Sequence, residues 1–410
     1  MLPSAPSALH GLRVLDLTTL LAAPQIAAML GDFGADVVKI EPPSGDPLRQ
    51  IGVRRGEGSP AWAFVSRNKR AITLDLDRPE GQRLFRRLVG EADVLVENLT
   101  PALRERWGCD YTSLSAAHPR LVVVSVSCHG QTGPRASESG AGALAEAFAG
   151  LAHMNGEAGG PPILPSLPLG DAMTGFSGVI GALLACYWRD RRDGGSGLGQ
   201  HVDVSMYEPI LQLLGLPFAT WDGTGAGPRR NGSRVEGGVP RNLYRCRDDR
   251  WIALSGTTDA QVARVLETIG RSGPEDRERY GRSAARLRVA DELDGLVADW
   301  IAQRDRDEVL AAFRAVRVPV GPVHDLPEVA RDPQVLARAS LTTFDDPALG
   351  ALHLVSPTPK LGAVPGRISH PGPALSAHTE EILRDWLALS PAEIAHARAE
   401  QAIGPAGPNT

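Results

Sequence analysis

The chain has 410 residues, 42% of them apolar and 22% charged, enough to bury the cores of two domains, and its net charge of -5 gives no basic field for nucleic acid. Only Cys109, Cys128, Cys186 and Cys246 occur, scattered and without a CxxC pair, which argues against a disulfide framework or structural zinc and suits a reduced, cytoplasmic protein. Met1–His10 has no leader pattern, and the longest apolar run, Phe176–Trp188, is short for a bilayer and broken by Gly178 and Gly181, so no membrane is expected.

Arg13-Val14-Leu15-Asp16-Leu17 reads as a short buried strand, Pro24–Phe33 as a helix with proline in its first turn, and Asp36–Glu41 as the next strand. Together they make a βαβ unit. Its connection, Thr18-Thr19-Leu20-Leu21-Ala22-Ala23, lacks GxGxxG, which argues against NAD or FAD. Further strands are expected at Ala71–Leu76, Asp93–Glu97 and Leu121–Val126, with a helix over Pro79–Val89 behind the cap residue Asp77. β-Branched runs alternating with helices predict an α/β, Rossmann-like domain with a parallel sheet. Ligands of such sheets bind beyond the carboxyl ends of the strands. That rule puts Leu20, Leu74, Asn98 and the loop Cys128–Pro134 on the candidate binding edge.

Gly140–Met154 reads as one helix, followed by a glycine- and proline-rich loop. Next comes Pro168-Leu169-Gly170-Asp171-Ala172-Met173-Thr174-Gly175, which places Asp171 at a helix N-cap. There its carboxylate would accept first-turn amides and be favoured in its ionised form by the helix dipole. With glycine beside it, such a carboxylate is a candidate nucleophile, although from these residues alone a plain cap is the commoner role. Gly175, Gly178, Ala182 and Ala185 recur at helical spacing and read as a packing face.

Thr220–Arg241 is rich in Gly and Arg and reads as a linker. A hairpin over Asn242–Arg247 and Arg250–Leu254, then helices at Asp259–Ile269, Val289–Gln303 and Asp307–Val316, predict a smaller α+β domain. Val318–Val323 reads as a return linker. Short helices at Leu326–Arg331 and Asp332–Arg338, a strand at Ala351–Val355 and terminal helices at Thr379–Ala388 and Pro391–Gln401 follow, the last behind a capping box, Ser390 to Glu393. The expected division is 1–220 (large domain), 221–240 (linker), 241–316 (small domain), 317–340 (return linker) and 341–410, which completes the large domain.

The histidines form no HxxxH or HExxH pattern, so no metal site is expected, and GxSxG and the P-loop are absent. His129, in Cys128-His129-Gly130-Gln131, is a candidate acid or base or a locally packed side chain. Asn98 suits a ligand amide, the backbone or a turn; Arg104 and Arg106 suit phosphates or plain solvation.

In order and spacing, these pieces resemble the class III CoA-transferase family (the CaiB/BaiF, formyl-CoA transferase group). The matching stretches are Gly11–Leu17, Leu30–Pro42, Asn68-Lys69-Arg70 with Leu74-Asp75-Leu76, and Asp93–Trp107. Further on they are Gly130–Pro134, Gly156–Pro162, Gly170–Gly175, Gly199–Glu208, Val318–Arg338 and Ala377–Thr379. The resemblance implies a large domain made of both chain ends, a small domain reached through two linkers, and an interlocked-ring homodimer. It sets Asp171 on the catalytic aspartate and Leu20, Leu74, Asn98, Leu99 and Arg106 on CoA-holding positions. A coenzyme A thioester is then a substrate and not a permanently bound cofactor; the partners are an acyl-CoA donor and a carboxylic acid acceptor. The implied chemistry is ping-pong, through an aspartyl anhydride and an aspartyl-CoA thioester. His129, and Gly237 and Gly238 of a shortened glycine lid, Glu236-Gly237-Gly238, are secondary candidates. Leu21, Pro42 and Gly142 replace polar, basic and acidic residues of formyl-CoA transferase, which points away from oxalate and formate and towards a larger or less polar acid. The same fold family holds 2-methylacyl-CoA racemases, whose histidine falls on Ala141; an acyl-CoA-binding protein without turnover is the third reading.

Overall fold

A computed structural model describes residues 7–221, 223, 227–235 and 237–404. Two compact units divide the chain.

The first unit comprises Met1–Leu151, Leu164–Asp222 and Leu336–Thr410. Its strands are β1 (Arg13–Leu17), β2 (Asp36–Glu41), β3 (Lys69–Thr73), β4 (Val94–Glu97), β5 (Val122–Ser127) and β6 (His201–Ser205). They form one sheet in the order β3-β2-β1-β4-β5-β6 with every pairing parallel, the Rossmann arrangement. Alternation along the strands fills both faces. Val14, Val37, Val94 and Val122 join one core, and Leu15, Val38, Leu95 and Val123 the other.

The five helices that position the site are α1 (Ala22–Asp32), α2 (Pro79–Gly90), α3 (Pro101–Trp107), α4 (Gly142–Phe148) and α5 (Leu169–Asp190). The small residues of α5 do close packing. A Cβ on Gly178 would lie 2.2 Å from Ile26 Cδ1 of α1, and one on Gly181 would lie 2.6 Å from Val202 Cγ1 of β6. The opposite side of α5 is open: Phe176, Ile180, Leu184, Tyr187 and Trp188 are exposed. At 22 residues α5 is longer than the Phe176–Trp188 run suggested, and by length and composition alone it would cross a bilayer.

Several expectations for this unit change, among them the cap of α2, where Arg78 and not Asp77 holds the N-cap position. β3 starts at Lys69, two residues before the expected Ala71, because the Lys69 side chain is fully buried and paired. It ends at Thr73, since the Asp75 amide turns away to donate to the Ala402 carbonyl at 2.8 Å. The single helix expected over Gly140–Met154 is two, Gly142–Phe148 and Leu151–Met154, parted by Gly150 at φ +93°. His201–Ser205, unassigned by the sequence reading, is the sixth strand. The C-terminal segment covers the β3 edge of the sheet, where Ala71 N donates to His378 Nδ1 (3.1 Å) and Gly404 N to Thr73 Oγ1 (2.9 Å).

The second unit comprises Ala152–Ile163 and Gly223–Val335. Its antiparallel sheet is β7 (Arg241–Arg245), β8 (Trp251–Ser255) and β9 (Val320–Pro322). Tyr244, Ile252 and Leu254 pack from this sheet onto Val262, Val297 and Phe313 of the helices. Two boundaries differ from expectation. The return linker over Val318–Val323 contains β9, an edge strand where proline is tolerated. The stretch Ala152–Ile163, expected in the large domain, groups with this unit: Arg230 donates to the His153 and Gly160 carbonyls (2.7 and 2.9 Å), and Gly232 N to the Gly156 carbonyl (2.9 Å). The unit therefore exceeds 241–316.

Candidate active site

Beyond the carboxyl ends of β1, β2 and β4 lies a cavity of about 300 Å³. Leu74, Asn98 and Leu99 line it, with Thr18, Thr19, Glu41, Pro42 and Trp107 among their neighbours. Arg106 reaches the cavity through Asp77, a lining residue, at 3.1 Å. Leu20 does not line it, but directly follows Thr19, which does.

The Asn98 side chain is committed to the backbone. Its Oδ1 accepts from Thr19 N and its Nδ2 donates to the Thr19 carbonyl, both at 3.0 Å. Of the roles open to it in sequence, shaping the β1–α1 loop is the one the geometry supports. Beneath the same loop sits a buried charge cluster. Lys69 Nζ is 2.6 Å from Asp16 Oδ2, and Lys39 Nζ lies 3.6 Å from Asp16 Oδ1 and 3.3 Å from Asp46. Thr18 donates to Asp16, and Lys39 donates to the Thr18 carbonyl. Burial opposes the Asp16 charge, but Lys39 and Lys69 together hold its carboxyl below the ordinary range. Burial pushes Lys69 down to about 8 against the pull of Asp16. These bonds fix the main chain on both sides of Thr18 and Thr19, and Leu20 follows at φ +67°, a conformation leucine seldom adopts. The cluster was absent from the sequence reading. Its signal was a charge in the middle of each apolar strand, Asp16 in β1 and Lys39 in β2.

Asp171 is not the N-cap of α5. Pro168 occupies that position without a side-chain bond, so Asp171 is the third helical residue. Its carboxylate lies against Gly142, the first residue of α4, so closely that a Cβ there would be 2.2 Å from Asp171 Oδ2. From α4, the buried Glu146 accepts the Gly170 amide at 2.7 Å. One turn beyond Asp171, a Cβ on Gly175 would lie 3.1 Å from Gln25 Cβ and 3.7 Å from the Ala22 carbonyl. The start of α5 is thus packed on the first turn of α1, the helix entered from Leu20. The shift runs opposite to the one expected from the helix dipole. Burial raises the Asp171 pKa above its usual value, its own backbone amide opposes this, and the charge of Glu146 adds to the rise.

The remaining candidates lie as follows. His129 meets Phe148 edge-on, with ring centroids 5.1 Å apart, and Tyr207 at 6.3 Å; its Nδ1 has no hydrogen-bond partner. Gly237 and Gly238 are in the second unit, in a tight turn bridged from Val235 to Gly238 with Gly237 at φ +84°. Glu236 lies outside the described residues.

A Rossmann-type edge with a carboxylate at a nearby helix start is the setting in which the comparisons fall. The model of CoA-transferase family III matches residues 9–379. The chain belongs to CoA-transferase family III. It is 37% identical over 400 residues to a protein of Chloroflexus aurantiacus named succinyl-CoA–L-malate CoA-transferase beta subunit, covering 96% of this chain and 98% of that one. The alpha subunit from that organism is 35% identical over 399 residues, covering 96% and 92%. Among solved structures, a CaiB/BaiF family protein from Brucella suis superposes with a TM-score of 0.81 at 28% identity, covering 93% of this chain and all of that one. The names of these relatives are those of CoA-transferases, whose substrates are CoA thioesters.

Proposed function

We propose that the protein moves coenzyme A from an acyl-CoA donor to a carboxylic acid acceptor, with Asp171 as the nucleophile. The observation that carries this reading is a single carboxylate at the start of α5, pressed against a residue without a side chain, in a chain of this family. The Asp171 carboxylate attacks the donor thioester carbon. The C–S bond breaks, CoA leaves as thiolate, and a mixed anhydride remains. The thiolate then attacks the aspartyl carbonyl and expels the donor's acid as a carboxylate, leaving an aspartyl-CoA thioester. An acceptor carboxylate attacks that thioester and releases the thiolate again, with a second anhydride. The thiolate takes the acceptor's acyl carbon, and Asp171 departs as a free carboxylate. Each step exchanges one activated acyl bond for another, so the thioester's energy is kept.

The cavity beyond β1, β2 and β4 is the proposed CoA site, with Leu74 and Leu99 as apolar walls, Asn98 holding the loop, and Leu20 and Arg106 at its edge. The names of the Chloroflexus relatives make succinyl-CoA and L-malate the first donor and acceptor to try. The open side of α5 supports a homodimer, since Phe176, Ile180, Leu184 and Tyr187 are each at least 48% exposed and contiguous apolar patches of this kind mark interfaces. Four free cysteines suit a reducing, cytoplasmic setting. The racemase reading has less support, because Ala141 carries no proton-transfer group and His129 is packed against aromatic rings.

The test is transfer from succinyl-CoA to a panel of acids, with hydroxylamine trapping during turnover and mass spectrometry of the peptides. A hydroxamate on the Asp171 peptide and loss of transfer in Asp171→Asn are expected. Full transfer by Asp171→Asn defeats the assignment, and α-proton exchange without acceptor indicates racemisation. Light scattering gives the oligomeric state.

A further inference from the structure

Glu146 is only 2% exposed, and among the described residues its one hydrogen bond is accepted from the Gly170 amide. Among the described residues no ion pair reaches it. A carboxylate buried without a cation is costly and calls for a compensating role. The role is visible at the start of α5. That helix opens on Pro168, whose side chain cannot cap it, so first-turn amides lack their usual acceptor. Glu146 supplies one from α4, at the positive end of a 22-residue dipole. The Gly170 position is itself tight, as a Cβ there would stand 3.3 Å from Glu146 Oε1 and 2.9 Å from the Gly142 carbonyl.

We infer that Glu146 is a positioning residue for the nucleophile: its carboxylate, bonded to the Gly170 amide, replaces the missing helix cap and aims Asp171 over Gly142. The inference rests on the reading of Asp171 as the nucleophile. A second consequence follows from charge. The elements packed on α5 carry Asp32 on α1, held by Arg67; His201 and Asp203 on β6; Glu208 on the next helix, bonded to Ser205; and Glu146 on α4, while β5 carries none. The far end of α5 itself carries Arg189 and Asp190. Of all these, Glu146 is the group whose charge acts on Asp171, raising its proton affinity.

Two full-length variants test this with succinyl-CoA as donor and L-malate as acceptor. Glu146→Gln keeps the acceptor for Gly170 and removes the charge. Its kcat/KM for succinyl-CoA should keep a bell or plateau shape, with the acid limb moved to lower pH. Glu146→Leu removes the acceptor too. Its kcat should fall about tenfold across the pH range, the scale of one lost hydrogen bond, with KM for succinyl-CoA changed less than about twofold. An unchanged kcat in a folded Glu146→Leu overturns the inference, and an acid limb of Glu146→Gln that coincides with the unmodified enzyme overturns the charge effect on Asp171. If Glu146→Leu does not fold, Glu146→Met, of similar length and without the carboxylate acceptor, takes its place with the same expected and overturning results. Hydroxylamine trapping on the unmodified enzyme separates the two levels. A labelled Asp171 peptide with unmoved profiles refutes only the role of Glu146; no labelled peptide refutes the nucleophile and this inference together.

Discussion

Gly142→Ala probes the proposed nucleophile without replacing it. The added Cβ would stand 2.2 Å from Asp171 Oδ2 and 3.0 Å from its Cγ, where ordinary contact begins at 3.4 Å. The carboxylate oxygen must therefore retreat by about 1 Å, a misplacement that costs on the order of 100-fold in rate when it falls on a reacting group. That factor corresponds to about 2.7 kcal/mol of barrier. The fold is affected far less. The clashing atom ends a short side chain that swings aside at about 0.5–1.5 kcal/mol, and alanine returns about 1 kcal/mol over glycine in helix propensity. The expected result is a melting temperature within about 3 °C of the unmodified protein with kcat down about 100-fold. Initial rates of CoA transfer and a thermal melt on the same preparation measure both. A variant with unchanged melting and kcat within about threefold would show that the Asp171 seat over Gly142 has no bearing on the chemistry.

Asn98→Ala removes both bonds to Thr19 and frees the loop that walls the cavity, so KM for the acyl-CoA donor should rise about tenfold with a smaller change in kcat; an unchanged KM refutes the loop-holding role. Lys69→Met leaves Asp16 in the core with only Lys39 at 3.6 Å, and urea unfolding should show a loss of about 3–5 kcal/mol; a loss under about 1 kcal/mol would mean that the cluster is replaceable by apolar packing. His378 receives the Ala71 amide on Nδ1, and burial holds its pKa below the ordinary histidine value, with Glu381 opposing. The unfolded chain then binds the proton first, so this contribution is present above the ordinary value of about 6.5 and declines as pH falls below it. Urea midpoints measured across that range should slope upward with pH, less steeply in His378→Asn; equal slopes refute the link.

The Rossmann sheet was legible where its strands are apolar along their length. Arg13–Leu17 and Asp36–Glu41 were bounded as observed, because valine, leucine and isoleucine there face two dry cores. β6 escaped because His201-Val202-Asp203-Val204-Ser205 is only half buried and interleaves polar residues. The start of β3 was lost for the opposite reason: Lys69 looks solvated in sequence, and only a partner 53 residues away in β1 makes it a core residue. Asp171 stood out in sequence as a carboxylate at a helix start, but the helix begins earlier than expected and Asp171 is its third residue. Asp is a preferred cap, and nothing local shows that a glutamate from α4 has taken over the amide.

The site depends on that displacement. A carboxylate at a true N-cap is bonded to first-turn amides, which stabilise its charge and lower its basicity. Three positions further in, half-buried and with the Gly170 amide claimed by Glu146, Asp171 feels a burial cost and the charge of Glu146 against the one backbone amide that favours its ionised form. Both changes raise its proton affinity, and a more basic carboxylate is a stronger nucleophile once ionised. In the proposed mechanism the acyl-aspartate must survive until the next acid arrives, and partial burial of Asp171 favours that by limiting water. If Asp171 is the nucleophile proposed, a better-capped Asp171 would sit in a more stable helix and be a poorer catalyst. On that proposal stability and nucleophilicity are opposed at this helix start, and Gly142, Glu146 and Gly170 serve the second.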